Sequence, residues 1–328
     1  MQFTDKIYGN IAITEPVVLA LIETPQMQRL KKIHQYGIFH YFDPRANTTR
    51  FEHSLGVYLV LNNFGASLEE QIAGLLHDIS HGVFSHVMDR LYGSLELEDY
   101  QDNLHKQYFT DTAVNQVLIN YGFDPARISD LSLWPLADNE LPEICADRLQ
   151  YTLGDAVTIN KISPQQAKRF IDCLVIEKNQ FIFTNKEIAR EFADLSLWMC
   201  KNFWHPNWGH YCFLWLAAIL RQAMDKKIIT KEDLATDDDS VIEKLENCLD
   251  KGIIDQMAAL KHFRTDKVVE NQADYDFLIE KTKLRVIDPR VNVGGKQKRI
   301  TELYPDFKEK FDSEKAWVNH ARYLKYAN

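Results

Sequence analysis

Leu75–His86 reads LLHDISHGVFSH. An apolar pair leads into three histidines and one aspartate, all within His77–His86. His77 and Asp78 are adjacent, so on a regular helix their side chains point about 100° apart. They converge on one ion only near a helix end or between helix faces. Imidazole nitrogen with carboxylate oxygen suits a borderline divalent ion such as manganese, iron, cobalt, nickel or zinc. Two ligands are not enough, so another histidine and another carboxylate must come from elsewhere. His53 in RFEHSLGV and Asp147 in CADRLQYTLGDA supply both.

The rest of the 328-residue chain bounds this reading. One large or two modest domains are expected at that length. With 45% hydrophobic and 26% charged residues, it has the composition of a globular protein with a sizeable core. The formal net charge of −9 argues against a broad nucleic-acid surface, which needs a basic stripe. It leaves room for a local basic pocket around a phosphate-bearing small molecule. The five cysteines are scattered without a C-x-x-C pair, so reduced, mostly buried thiols are expected. The start MQFTDKIYGNIAIT has no signal-peptide pattern. The longest uncharged apolar run, Tyr211–Leu220, is too short to cross a bilayer. A cytoplasmic protein is the expectation.

Apolar spacing reads as helical through most of the first half. Thr24-Pro25 opens a helix that Gly37 is expected to end. Helices are expected at His53–Asn62 and Glu69–His77, and another opening at Leu141-Pro142-Glu143 and running through Asp147, Tyr151 and Asp155. Past residue 170 the texture changes. CLVIEKNQFIFT reads as a hairpin, and Arg190–Arg221 as an aromatic helical stretch. Its tryptophans read as core rather than as a ligand cage. TDDDS at Thr236–Ser240 reads as a charged loop or helix cap, and most simply as a solvated turn. Leu284–Val293 fits a strand, and GGKQKR at Gly294–Arg299 a basic flexible loop. The fold expected is mostly α, with a catalytic helical core over 1–170 and a helical and mixed α/β portion over 171–328.

TPQMQRLKKIHQYG, TRFEHSLGV, IAGLLHDISHGVFSHVMD, SLWP and DRLQYTLGDA follow in that order. The series resembles the HD-domain metal-dependent phosphohydrolases. Within them it is most similar to the dNTP triphosphohydrolase branch, which includes a mammalian sterile-alpha-motif-and-HD protein and bacterial relatives. The resemblance is close over about residues 5–160 and only architectural afterwards. It implies that four helices bring His53, His77, Asp78 and Asp147 to one divalent ion, with magnesium added to the metals above. The activity implied is cleavage of (d)NTP to nucleoside and tripolyphosphate, by metal-hydroxide attack on the α-phosphorus.

The resemblance also implies roles around the metal. His81 and His86 would lie beside the phosphates, with His86 as general acid on the leaving 5′-oxygen. An imidazole of pKa about 6.5 suits that task. Asp89 would orient His86, and His105 would be a further active-site histidine. Arg50 and Arg148 would hold phosphates. Asp147, Tyr151 and Asp155 recur every four residues and share a helix face. Tyr151 would touch phosphate or sugar, and Asp155 the sugar 3′-hydroxyl, which Gln35 would also read. Tyr36 stands where the mammalian relative has a leucine that crowds a ribose 2′-position, so the choice between deoxyribose and ribose stays open. Arg148 replaces a lysine, and Glu23 and Lys31 replace an aspartate and an arginine of that relative's activator site. A homodimer or larger assembly is implied too. His34, His40, His205, His210, His262 and His320 carry no motif and read as structural or surface. Two alternatives stand beside this reading. One is an HD nucleotidase or phosphodiesterase on another nucleotide. The other is a nucleotide-sensing or nucleic-acid-binding protein with little turnover.

Overall fold

The computed structural model describes residues 1–93 and 98–327. The first half is helical, as expected. Its central helix, Arg50–Asn63, is closed at its start by a capping box between Thr49 and Glu52. Almost every residue from Arg50 to Leu61 is buried, so neighbours cover the helix on all sides. Helix Leu68–Leu76 follows, capped by Ser67, and packs against it. Gly74 makes the close approach possible, because a Cβ there would lie 2.3 Å from Leu61 Cδ1. Helix Ala146–Thr158 crosses the other flank. At Gly56 a Cβ would fall 2.5 Å from Gln150 Nε2. Two glycines thus let three helices approach closely enough for short side chains to meet between them.

Two expected helix boundaries move. The helix opened by Thr24-Pro25 ends in a tight turn at Lys32, not at Gly37. Ile33 is extended, and His34 pairs with Thr49 as an isolated bridge. The backbone N–H of His34 goes to the Asp238 carboxylate at 2.9 Å rather than back along a helix. Leu141-Pro142-Glu143 opens no helix. The Leu141–Pro142 bond is cis, and the helix begins at Ala146 after Cys145.

In the second half the hairpin is present as Leu174–Glu177 and Gln180–Phe183. Lys178 and Asn179 both take positive φ in its two-residue turn. Phe183 pairs in parallel with Val291. Only Arg290–Val293 of the expected 284–293 strand is a strand. The basic GGKQKR stretch is not a loop throughout: Gly294-Gly295 turn the chain, and Lys296–Arg299 is an antiparallel strand that completes a four-stranded sheet. A three-stranded sheet joins Val268–Glu270, Arg322–Tyr326 and Phe277–Ile279. Helices Lys186–Met199 and Asn207–Asp225 link these sheets to the first half. The apolar core runs unbroken past residue 170, with Phe64 edge-on to Phe181 at 5.0 Å between ring centres. TDDDS is not a solvated turn: Asp237 caps helix Asp238–Glu246, and Asp238 points inward at 1% exposure.

Candidate active site

His53 sits in the central helix, His77 and Asp78 just past the end of Leu68–Leu76, and Asp147 in the first turn of Ala146–Thr158. Leaving the helix at His77 lets two adjacent side chains turn to the same point. The Nε2 atoms of His53 and His77 are 3.2 Å apart. Asp147 Oδ1 is 3.0 Å from His53 Nε2 and 3.5 Å from His77 Nε2. Asp78 lies 3.5 Å from each ring, through Oδ2 to His53 and Oδ1 to His77. His53, His77 and Asp147 thus form one cluster that could hold an ion, with Asp78 beside both rings.

The donor set fits a cation. His53 Nδ1 pairs with the Gln150 side-chain oxygen, and His77 Nδ1 lies 2.7 Å from the Gly74 carbonyl. Each bond places a proton on Nδ1 and leaves Nε2 as a lone pair facing the cluster. Two such nitrogens and the Asp147 carboxylate face one point, with Asp78 beside them. Ligands about 2.1 Å from a shared ion are ~3.0–3.4 Å from each other; the His53–His77 and His53–Asp147 spacings fall in that range, and the 3.5 Å spacings lie just above it. Burial disfavours charge on His77, yet Asp78 and Asp147 outweigh it and raise its pKa to about 9.

Arg50 Nη1 reaches Asp78 Oδ2 at 2.5 Å, and its Nε reaches Ser85 Oγ at 2.9 Å. Its Nη2 is buried without a partner among the described residues. His81 Nε2 lies 3.3 Å from Asp78 Oδ1. Burial and then Arg50 lower the His81 pKa to about 3, so that ring is neutral. His105 is buried with neither nitrogen partnered among the described residues. Burial, followed by His77, lowers its pKa to about 4. His86 Nδ1 is 3.0 Å from Asp89 Oδ2, so the expected pair is in place. Burial lowers the His86 pKa, against the opposing pull of Glu98 and Asp89.

A cavity of about 560 Å³, including its open mouth, opens at His86, and none of the four expected metal ligands lines it. Gln35, Tyr36, His86 and Tyr151 line it, as do Trp204, His205, His210 and Arg285 from the second half. Arg148 is not in that lining. Its Nη1 lies 3.1 Å from Cys145 Sγ, and its Nη2 lies 3.8 Å from Asp138 Oδ1. Asp155 accepts hydrogen bonds from the Tyr36 hydroxyl and from Trp204 Nε1, the latter at 3.0 Å. Burial raises its pKa to about 6.

Gln150, Arg90, Glu98 and Arg285 belong to no motif in the sequence. His205 and His210, expected to be structural or surface residues, both face the cavity. Histidines within FWHPNWGHY were the one available signal, and the surrounding aromatics read as core.

The HD domain family model matches residues 50–124, the span from Arg50 past His105. The uncharacterized protein YdhJ of Bacillus subtilis is 33% identical over 297 residues, 90% of each chain. The chain belongs to the HD-domain family. The metal-dependent phosphohydrolase cns2 of Cordyceps militaris is 34% identical over 170 residues, 52% of this chain and 49% of that one. Deoxynucleoside triphosphate triphosphohydrolase SAMHD1 of Mus musculus is 34% identical over 152 residues, 38% of this chain and 22% of that one. This HD-domain chain is a metal-dependent phosphohydrolase with a divalent-ion site. No helix among its described residues is long and apolar enough to cross a membrane.

Proposed function

We propose that the protein hydrolyses nucleoside triphosphates, and most directly (d)NTP, to nucleoside and tripolyphosphate. The observation that carries this is the placement of the His86–Asp89 pair. It opens onto the same cavity as Gln35, Tyr36 and Tyr151, and the His86 ring lies 5.5 Å from that of His81, which reaches Asp78 at 3.3 Å. Similarity to SAMHD1 supports the substrate class.

A bound divalent ion would supply Lewis acidity at a phosphoryl oxygen and a nucleophilic water. His53, His77, Asp78 and Asp147 would hold it. Water, its proton released to solvent, bonds through oxygen to the α-phosphorus, and the bond from phosphorus to the 5′-oxygen breaks. The electron pair passes to that oxygen. Asp89 keeps a proton on His86 Nδ1, so the proton that His86 carries at Nε2 moves to the leaving oxygen. Arg50 Nη2, Arg148 and Tyr151 would hold the phosphates, with His81 and His105 as neutral donors beside them.

Incubating metal-loaded protein with a nucleotide panel tests this by product. Equal amounts of nucleoside and tripolyphosphate are expected. Phosphate or pyrophosphate in their place would sink this version. The bond from Tyr36 to Asp155 favours a second reading, a phosphohydrolase of another nucleotide, because it occupies the carboxylate meant for a 3′-hydroxyl. The same panel separates the two readings.

A further inference from the structure

Two arginines near the metal cluster already have carboxylate neighbours: Arg50 meets Asp78 and Arg148 meets Asp138. A third, Arg285, comes from the irregular segment before strand Arg290–Val293. Its Nη2 lies 3.5 Å from His86 Nε2 and bonds to Glu98. The other oxygen of Glu98 accepts from Arg90 Nη1 at 3.0 Å. Arg90 and Glu98 are sealed, at 2% and 3% side-chain exposure, whereas Arg285 reaches the cavity at 19%. Arg90 and Glu98 therefore form a brace, and Arg285 is the group it presents.

His86 Nδ1 is committed to Asp89, so Nε2 is the atom that must meet a leaving oxygen. Arg285 stands at that same atom. A guanidinium only donates hydrogen bonds and stays protonated. Burial works against its charge, but Glu98 and Tyr151 hold its pKa above the ordinary value. It cannot compete with His86 for proton transfer, but it can stabilise negative charge on the oxygen that receives the proton.

We infer that Arg285 is a substrate-contacting catalytic residue that donates to the leaving-group oxygen, with Glu98 and Arg90 as its positioning residues. This rests on the reading that His86 serves the leaving group of a phosphate ester. As the bond to phosphorus breaks, the electron pair collects on that oxygen. His86 supplies the proton, and Arg285 keeps all of its own. The second half of the chain thus completes the leaving-group side of a site whose metal ligands all lie in the first half.

The test compares leaving groups. Metal-loaded wild type and Arg285→Gln are assayed on a deoxynucleoside triphosphate and on the p-nitrophenyl ester of thymidine 5′-phosphate. p-Nitrophenolate departs without a proton or a cation beside it. Arg285→Gln should lower kcat on the triphosphate about 100-fold, as loss of one preorganised donor does, and lower it far less on the aryl ester. Equal loss on both substrates, or no loss on either, would overturn the proposal. Should Arg285→Gln not fold, Arg285→Lys serves, with an intermediate but still leaving-group-dependent loss expected. Wild type that cleaves the aryl ester and alkyl phosphate esters but no triphosphate would sink the triphosphatase reading alone. Arg285 is then judged by the alkyl-to-aryl ratio. Wild type that cleaves only the aryl ester would overturn both.

Discussion

His53 can face a cation with Nε2 only while Nδ1 keeps its proton, and the Gln150 side-chain oxygen holds that proton. Gln150 therefore sets both tautomer and ring orientation without touching the ion. Gln150→Ala should weaken metal affinity by about 10–100-fold with the fold intact. Competition with a chelating dye measures this, and unchanged affinity would remove Gln150 from the site. The cluster of His53, His77 and Asp147 was legible in the sequence because its residue types and order carry the chemistry. Gln150 was not, because a glutamine one turn beyond a ligand has no distinguishing pattern. Arg285 was hidden for a related reason: it reaches His86 from 199 positions away. Even a residue read in advance can hold an unforeseen partner, as Arg50 does in Asp78.

Helix Asp238–Glu246 shows how composition misleads about an element. Its acidic start reads as solvated, yet Asp238 joins two segments that line the cavity. One oxygen accepts from Phe84 N–H at 2.6 Å, and the other from His34 N–H at 2.9 Å and His34 Nδ1 at 3.0 Å. His34 leads into Gln35 and Tyr36, and Phe84 into His86. Phe84 and Ser85 hold positive φ, conformations that need outside support. Asp238→Asn turns an amide donor toward one of these N–H groups and leaves it unpaired in the interior. A loss of about 1–3 kcal/mol in urea unfolding is expected. Wild-type stability would show that the bridge is not maintained. The same contact explains why the early helix stops before Gly37: His34 N–H finds its acceptor outside the helix. Spacing within one segment cannot reveal a competitor that lies 204 residues away. The hairpin at Leu174–Phe183 was legible because its turn and both strands are contiguous.

Across the whole molecule, the change of texture near residue 170 marks a change of element type rather than a break in the core. The metal ligands belong to the first half, but Trp204, His205, His210 and Arg285 close the cavity from the second. Folding itself should therefore sense the ion. His53, His77 and Asp147 meet only when three helices are packed, so the unfolded chain has no such site. A ligand of that kind stabilises by mass action, by about 2.7 kcal/mol when the free ion is at 100 times its Kd. Dialysis against a chelator should lower the unfolding free energy, and returning the divalent ion should restore it. The double variant His77→Ala with Asp78→Ala should remain folded, since its own stability is read in the same titration. It should lose the bound ion, the ion-dependent stabilisation and all hydrolysis together. A double variant whose unfolding still shifts with the ion would place the binding site elsewhere. One that keeps hydrolysis would separate catalysis from this cluster.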